Sequence, residues 1–284
     1  MEAAAARVIW QGLEHLNAVT YFAPECRDAP RELGLRGFWA GYFANRAAPL
    51  GVVPAGVVEA TFFNFAPDKV RKAIPEVWAV ASPARLVSSR REAAAAALRR
   101  LLPLADHLGR ELVPSLLRCI NAADGAGRVL FSANREVSDT GDTVEDLWHA
   151  ATTLREHRGD GHVCVLTAEG LDGCEVHVLF AATTGVAPEL LQASRGWSVE
   201  DWAKATERLA GRGLLAPEGS PTERGARLRA AIEARTDERA ARPYRLLGDD
   251  DLERLIKMTT HAAQTIAAAR LIPYPNPMGL PAPH

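Results

Sequence analysis

Apolar side chains recur at helical spacing in one segment near the middle of the chain. The residues concerned are Val144, Leu147, Trp148, Ala151 and Leu154. Their 3, 1, 3, 3 spacing places them on one side of a helix, which predicts an amphipathic helix with that face buried. The same face continues to His157, three residues later. We therefore predict that this imidazole points into the interior.

A second segment, residues 173–182, is apolar on nearly all sides and predicts a helix buried on several faces. Glu175 lies within it and requires a partner, because an unpaired buried carboxylate is costly. Between the two helices, residues 156–162 read Glu-His-Arg-Gly-Asp-Gly-His, with five ionisable side chains in seven positions. We predict a turn there, formed by Gly159 and Gly161, in which Asp160 caps the helix that follows.

The second half of the chain has the pattern of a winged helix. The predicted helices span residues 172–184, 188–193, 198–211, 223–239 and 251–269. Ser198 is predicted as an N-cap, because two acidic residues follow it in the first turn of its helix. Residues 214–222 predict a strand, a turn and a returning strand. Three helices followed by a small hairpin form a winged-helix module.

The two halves share a faint internal repeat. Residues 34–37 and 170–173 both read Gly-Leu-x-Gly, at a shift of 136 positions, and a helical apolar segment follows each of them. We therefore predict a duplicated module. Residues 1–123 form a degenerate first winged-helix repeat. Residues 124–284 form the second repeat, together with C-terminal helices and a proline-rich tail.

The first repeat departs from the winged-helix pattern. Its candidate recognition helix, residues 68–74, is cut by Pro75, because proline breaks a helix interior. No wing pattern follows, and residues 84–102 read as a long helix. A segment with further prolines then leads to the predicted turn between repeats at residues 121–125. The tail, residues 273–281, is predicted to be extended, and it either lies over a groove on the body or forms a loose terminus.

Composition limits the class of protein. The 284 residues are 48% hydrophobic and rich in alanine, leucine and arginine, which favours a helical fold with a large core. The net charge of −2 gives no global attraction to nucleic acid. The four cysteines lack metal-finger spacing, so we expect buried reduced thiols. No signal peptide or membrane-spanning run is present, which predicts a cytoplasmic protein that does not bind a membrane.

Residues 204–215 and 222–225 resemble the recognition helix, wing and T-x-x-G segment of the MarR class of regulators. Over its whole length the chain also resembles an actinobacterial family of tandem helix-turn-helix-like proteins. The positions that carry this likeness are residues 35–43, 46–51, 154–163, 192–197 and 275–280. The resemblance implies a mainly α fold, with tandem winged-helix modules packed as an intramolecular pseudo-dimer and a small β-hairpin wing in the second module. It also implies that related proteins respond to ligands, and it does not indicate any catalysed reaction.

A polar cleft between the repeats is the predicted binding site for a small-molecule ligand. The candidate ligand-binding residues are Tyr21, Trp39, Tyr42, Arg46, His157, Arg158, His162 and Glu175. We expect Arg46 to pair with Glu175 across the seam between the repeats, because a buried arginine needs a carboxylate. Purely structural roles are the alternative: core packing for the aromatic residues, and helix caps and ion pairs for the charged ones.

A catalytic site is a further alternative. His157 would act as general base near neutral pH, with Asp160 or Glu175 orienting it. His157 and His162 are five residues apart, not the four that stack two ligands on one helical face, so a zincin-like site is not indicated. The alternative is a three-ligand site assembled across the turn from the cluster of His157, Asp160, His162 and Glu175. The sequence identifies no cofactor.

DNA contact is predicted for Lys204, Arg208 and Arg212, which lie on and just after the helix at residues 198–211. Three acidic residues in the same helix offset them, and the predicted wing tip has no basic residue. Arg195 is either a further phosphate contact or a solvated turn residue. The expected partners are therefore a small molecule and double-stranded DNA, for a protein that is a monomeric pseudo-dimer or a homodimer.

Two functions follow from these residues. The first is a ligand-responsive transcriptional regulator that contacts DNA mainly through the second repeat. The second is an enzyme or ligand carrier that keeps the winged-helix scaffold without binding DNA. The likeness in fold favours the first function, and the charge pattern favours the second.

Overall fold

The computed structural model describes residues 3–283, which form fifteen α-helices joined by short turns. The helices of the first half are α1 (Ala3–Phe22), α2 (Pro24–Glu32), α3 (Phe38–Ala47), α4 (Ala55–Phe62), α5 (Pro67–Arg71), α6 (Val77–Val80), α7 (Pro83–Leu101) and α8 (Ala105–Ala122). Those of the second half are α9 (Val129–Arg135), α10 (Thr143–Ala168), α11 (Gly173–Thr184), α12 (Pro188–Arg195), α13 (Val199–Gly211), α14 (Glu223–Ala240) and α15 (Asp249–Ala268). The predicted mainly α fold is confirmed.

Helix α10 is the axis of the molecule. It packs against α1, α7, α8, α9 and α14, which come from both halves of the chain. The apolar face predicted for it is fully buried in the main core, with Trp148 only 1% exposed. His157 continues that face and is buried, as its spacing predicted.

The predicted turn at Gly159 and Gly161 is wrong, because α10 runs without a break through both residues to Ala168. Glycine in a helix interior costs about 1 kcal/mol relative to alanine, but Gly161 has a packing reason to be small. A Cβ atom there would lie 2.5 Å from Nη1 of Arg128, whose side chain crosses the helix at that point. Asp160 therefore cannot cap a following helix as predicted.

Two smaller cores flank the main one. The first joins α3 to α6 around a group of phenylalanines that includes Phe43, Phe62 and Phe65. The second joins the C-terminal end of α10 to α11, α13 and α14, with Val178, Leu209 and other aliphatic side chains inside.

In the first half, the candidate recognition helix is shorter than the predicted 68–74, because α5 ends at Arg71 and Pro75 lies in the turn that follows. The long helix that follows begins after its N-cap, Ser82, as α7. The segment that the sequence analysis treated as a bridge is instead the helix α8, which accommodates Pro114 in its interior.

In the second half, α11 to α15 match the predicted helices closely. Ser198 caps α13 in a capping box with Asp201, and Thr222 caps α14. The predicted β-hairpin wing is reduced to a tight turn with one antiparallel bridge between Leu215 and Pro221, and residues 3–283 contain no β-strand. Gly225 lies against this turn, because a Cβ atom there would approach the Leu214 carbonyl oxygen to 2.1 Å.

The two halves are joined by a shared core. Helix α1 packs against α10, α14 and α15 as well as against α2 and α7. The predicted boundary between residues 123 and 124 follows the end of α8. The division at that boundary and the internal duplication stay predictions.

The proline-rich tail packs against the body over the described residues, which contradicts a loose terminus. The buried Asn276 side chain accepts from the backbone N–H groups of Met278 and Leu280. The Tyr274 hydroxyl lies 2.8 Å from Nε2 of His15. Because Nδ1 of that imidazole lies 2.6 Å from the Gln11 carbonyl oxygen and donates to it, Nε2 accepts from the tyrosine.

The cysteines are free thiols, as expected from their spacing, and Cys26, Cys119 and Cys174 are buried. Cys164 differs from the expectation because it is exposed. Across residues 3–283, no helix combines the length and the apolar character that a bilayer crossing requires.

Candidate functional site

The charged stretch at residues 156–162 does not form one cluster, because α10 turns its side chains toward three different neighbours. Glu156, with Arg155 before it, faces α1 and α3. His157 and Asp160 face α9, and Arg158 and His162 face α14. The predicted ligand residues are therefore divided among three environments.

The first environment is a buried group of charges that we call the arginine centre. It consists of Glu14, Arg46, Arg90, Arg155, Glu156 and Arg195. Arg46 donates to both carboxylate oxygens of Glu156, over 2.9 and 3.0 Å. Arg155 donates to Glu14 over 3.1 Å and to Glu156 over 2.9 Å. The expected pairing of Arg46 with Glu175 is wrong, because Glu156 is closer to Arg46 in the folded chain.

The pairing fixes the charge state of Glu156. Burial alone raises the pKa of this carboxyl, but the charges of Arg155 and Arg46 outweigh burial and lower the pKa to about 2. Glu156 is therefore ionised at neutral pH, and it ties α10 to α3 through Arg46.

Arg90 and Arg195 have no such partner. Arg90 donates to the Thr20 hydroxyl and the Asn45 carbonyl oxygen, and Arg195 donates to the Pro277 carbonyl oxygen over 2.6 Å. Burial lowers the pKa of both guanidinium groups. Within the described chain, neither has a carboxylate within the 4.0 Å of a salt bridge. Nε of Arg195 is buried without any hydrogen-bond partner.

Two tyrosines connect the arginine centre to the surface. The rings of Tyr21 and Tyr42 lie 5.5 Å apart, and the Tyr42 hydroxyl accepts from Arg46 over 3.4 Å. Both tyrosines line a shallow groove that is open to solvent between α1, α2, α3 and α7, with a cavity volume of about 30 Å³. We call it the tyrosine groove, and Arg90 forms part of its wall. Tyr21, Tyr42 and Arg46 are thus brought together, as the ligand-site prediction requires.

Trp39 lies nearby but is not in the groove wall. Its ring packs between Tyr42 and Phe65, at 5.5 and 5.9 Å, and carries the ammonium of Lys69 3.8 Å above it. Lys69 also donates to the Ala193 carbonyl oxygen in α12. Trp39 and Lys69 therefore connect α3 and α5 with α12.

The second environment, around His157, does not have the properties of a general base. The imidazole lies 5.0 Å from the Phe131 ring, edge to face, and burial together with the Arg128 charge lowers its pKa to about 3. Asp160 accepts from the Phe131 N–H over 2.9 Å, which caps the start of α9. Burial and the neighbouring Glu156 raise the pKa of Asp160 to about 7. No hydrogen bond joins the two side chains among the described contacts.

The third environment lies between α10 and α14. Arg158 donates to Asp237 and Glu233 of α14, each over 3.1 Å, and lies 4.2 Å above the Trp10 ring. Nδ1 of His162 lies 2.9 Å from the Thr236 hydroxyl. Burial lowers the pKa of this imidazole to about 4, so it is neutral at pH 7. These contacts fasten α10 to α14 and α1.

Glu175 lies apart from the other predicted ligand and catalytic residues. It is the third residue of α11, in a capping box with Asp172, and it accepts from Nε of Arg208 over 2.8 Å. Across residues 3–283, no three His, Cys, Asp or Glu side chains are placed to hold a metal ion.

The residues predicted to contact DNA have partners within the chain. Arg208 also donates to Asp172, over 2.5 Å, and Arg212 donates to the carbonyl oxygens of Glu169 and Gly170. Lys204 is exposed and pairs with Glu200 one helical turn away. These contacts hold the C-terminal end of α13 against the start of α11.

Helices α12 and α13 are docked on the first half of the chain. The Arg195 carbonyl oxygen accepts from the Ala66 N–H over 2.9 Å, and the Trp197 indole donates to the Asn64 carbonyl oxygen over 3.1 Å. Gly173, at the start of α11, also touches this loop, since a Cβ atom there would lie 2.3 Å from the Phe63 carbonyl oxygen.

Arg90 was not predicted as a site residue, although the sequence contains a signal for it. Leu86, Arg90 and Ala94 are spaced by four residues in α7, so they lie on one face, and that face is buried. Glu14 was also not predicted, although it lies in an unbroken run of eight buried residues of α1, residues 12–19. Arg195 was noted only as a turn residue or a phosphate contact.

Comparison with known proteins agrees with the helical architecture. A family model described as a helix-turn-helix family matches residues 6–273. No curated protein and no solved structure matches the chain. Because the match covers nearly the whole chain, this protein belongs to that helix-turn-helix family.

Proposed function

We propose that this protein is a ligand-responsive transcriptional regulator of the MarR-like winged-helix type. Membership in a helix-turn-helix family supports a DNA-binding, regulator-like function. In this proposal a small molecule binds in the polar region between the two halves, and double-stranded DNA is contacted through α13 in the second half. The protein acts as a pseudo-dimer within one chain or as a homodimer of it.

The position of Arg195 carries the proposal. It is the last residue of α12, its side chain lies in the arginine centre, and only three residues separate it from Val199, the first residue of α13. Such a short link transmits a displacement of α12 to α13. A ligand that attracts the Arg195 guanidinium therefore shifts the helix that faces DNA, which is how a bound small molecule changes affinity at a second site.

On α13, Lys204, Arg208 and Arg212 are the residues proposed to contact phosphates. Arg208 and Arg212 lie at its C-terminal end with the turn at residues 214–222. DNA must compete with Glu175 and Asp172 for Arg208. DNA affinity is therefore sensitive to any movement between α11 and α13.

The test is a gel shift against the DNA upstream of the gene, at about 50 mM and then at about 150 mM salt. The wild type is expected to retain this DNA specifically, with weaker retention at the higher salt, because each phosphate contact releases counterions. Lys204→Ala is expected to reduce the slope of log binding constant against log salt concentration by about one, because one phosphate contact is lost. The matched control is Lys257→Ala, on the distant helix α15. Absence of retention at low salt would refute the regulator.

A ligand carrier or enzyme without DNA binding is the second candidate. The charge of α13 favours it, because Glu200, Asp201 and Glu207 outnumber its two basic residues and repel phosphate. Glu218 adds a further negative charge at the tip of the following turn. A catalytic form based on His157, Asp160 and Glu175 has less support, given the low pKa of His157 and the separate location of Glu175. Ligand binding without DNA retention would favour the carrier.

A further inference from the structure

The charges of the arginine centre do not balance. Two of its four guanidinium groups are neutralised, Arg46 by Glu156 and Arg155 by Glu14. Arg90 and Arg195 remain, 6% and 9% exposed, and they donate only to neutral oxygens. Each also lies 4.8 Å from the centroid of an aromatic ring, Arg90 over Trp148 and Arg195 over Phe65. Burying an arginine without an anion is strongly unfavourable. The folded chain thus holds two positive charges that no carboxylate within residues 3–283 pairs with at salt-bridge distance, and the two ring contacts offset them only in part.

The surroundings increase this imbalance. Lys69 lies close enough to Arg195 for each cation to disfavour the other, and burial together with the Arg195 charge lowers the pKa of Lys69. His177 lies near the same guanidinium, and its Nε2 is buried without a partner, as is Nε of Arg195. Unsatisfied buried polar atoms are rare, and each calls for a bound group or a function.

A route from the surface reaches the unpaired Arg90. The tyrosine groove has Arg90 in its wall, with Tyr21 and Tyr42 beside it. Its rim carries Arg27, for which no carboxylate partner occurs in the described chain, and Arg31, which pairs with Asp28. The groove is therefore positively charged from its rim to its floor.

The walls of the groove are suited to a flat apolar group. Phe38 is 41% exposed, and its ring lies 6.3 Å from the Tyr42 ring. The Tyr21 and Tyr42 rings, 5.5 Å apart, continue the lining from there. Exposed aromatic faces beside cationic side chains favour a planar anion over an aliphatic one.

We propose that the tyrosine groove binds a small aromatic dianion, with its anionic group against Arg90 and the Tyr21 and Tyr42 hydroxyls. Its two negative charges balance Arg90 directly and Arg195 across the Tyr42 side chain, and its ring lies against Phe38. An aromatic phosphate monoester and an aromatic dicarboxylate share this chemistry. The inference rests on the proposed function only in requiring that the protein binds a small molecule; the groove itself is lined by first-half residues alone and reaches the second half through the arginine centre.

The first experiment measures binding by the full chain with four probes at constant ionic strength. Phenyl phosphate and phthalate are aromatic dianions, benzoate is a monoanion, and benzyl alcohol is neutral. Isothermal titration calorimetry and the shift in melting temperature are expected to rank both dianions above benzoate, and to detect no binding of benzyl alcohol. Tighter binding of phenyl phosphate or of phthalate identifies the anionic group.

The second experiment tests the residues. Arg90→Gln is expected to weaken binding of the tighter dianion about 10- to 100-fold, because a hydrogen bond to a charged group is lost. Arg195→Gln is expected to weaken it less, since this side chain acts at longer range. Arg254→Gln on α15 is the matched control and is expected to leave binding unchanged. If Arg90→Gln fails to fold, Tyr21→Phe replaces it, with a loss of roughly 5- to 10-fold.

Several outcomes overturn the proposal. They are equal melting shifts from the dianions and from sodium chloride at the same ionic strength, and undiminished dianion binding by the Arg90→Gln or Tyr21→Phe variant. The proposal that the protein is a transcriptional regulator is tested separately, by the gel shift. Dianion binding without DNA retention would support the proposed ligand class and refute the regulator. DNA retention without dianion binding would support the regulator and refute the proposed ligand class.

Discussion

Arg90 and Arg91 are neighbours in α7 and are buried to 6% and 2% exposure, yet their environments differ in kind. Arg91 donates to Asp146 of α10 over 2.5 Å and to the Ser138 carbonyl oxygen. Arg90 donates to a hydroxyl and a carbonyl oxygen and lies 4.8 Å from the centroid of the Trp148 ring, with no carboxylate at salt-bridge distance. Adjacent side chains on a helix point in directions about 100° apart, so the two residues meet different partners.

The comparison extends to the other buried arginines. Arg46 and Arg158, like Arg91, each join α10 to a neighbouring helix through a carboxylate. Arg90 and Arg195 join nothing by charge. Pairing with a carboxylate therefore distinguishes the arginines that hold the fold from the two that we assign to ligand binding.

The largest effect is expected when the carboxylate that pairs with Arg46 is removed. Glu156→Gln is expected to lower the free energy of unfolding by about 3–5 kcal/mol, because it leaves Arg46 buried without its counter-charge. Urea denaturation monitored by circular dichroism measures the loss. The matched control, Glu238→Gln, changes an exposed residue of α14 and is expected to alter stability by at most about 0.5 kcal/mol.

The double variant Arg46→Met with Glu156→Gln sharpens the result. If the pair acts as a unit, the double variant is more stable than the sum of the two single losses implies. A loss equal to that sum would show that Arg46 and Glu156 act independently, and the distinction between paired and unpaired arginines would fail.

The next largest effect is a pH dependence of the free energy of unfolding, which comes from buried groups that are neutral in the folded state. Burial lowers the pKa of His149 and His162 to about 4, and of His157 and His177 to about 3. Each folded pKa lies below the unfolded value of about 6.5, so the contribution to stability is complete above pH 6.5 and is lost as pH falls. We expect a loss of up to about 2 kcal/mol per histidine between pH 6.5 and 5.

The contribution of Asp160 to stability depends on pH in the opposite direction to that of the histidines. Its folded pKa is raised to about 7, so its contribution is complete below its unfolded value and is lost as pH rises through 7. Asp160→Asn keeps an acceptor for the Phe131 N–H. The variant is expected to gain stability relative to the wild type at pH 8 and to lose that gain at pH 5. Parallel stability curves for the two proteins would contradict a buried, protonated Asp160.

The smallest change in the free energy of unfolding is expected for the arginines that have no carboxylate partner. Arg195→Gln is expected to change the free energy of unfolding by less than about 1 kcal/mol without ligand, because lost hydrogen bonding is offset by removal of an uncompensated charge. Urea denaturation in a buffer free of multivalent anions measures it. A loss as large as that of Glu156→Gln would assign Arg195 to the fold instead of to binding.

Much of the helical framework could be predicted from local pattern. The spacing of Leu147, Trp148 and Leu154 located α10, and Ser198 located the start of α13, because burial of one helix face and capping are both local requirements. The inward direction of His157 followed from the same spacing.

The partners of the buried charges could not be predicted in this way. Glu156 lies 110 positions from Arg46, and nothing in either local sequence specifies the other. The turn predicted at Gly159 and Gly161 failed for a related reason. The sequence shows two helix-weakening glycines, but the space that Arg128 takes beside Gly161 arises only when residue 128 packs against α10.

By itself, the sequence determined which segments are helical, where most of them begin, and which side chains along α10 face inward, because these properties depend on residues within a few turns of one another. Only the tertiary structure decided that Arg90 and Arg195 share one buried region and that the two glutamates there already neutralise other arginines. The reason is that charge balance in an interior is a sum over helices distant in the chain, and no local pattern contains that sum.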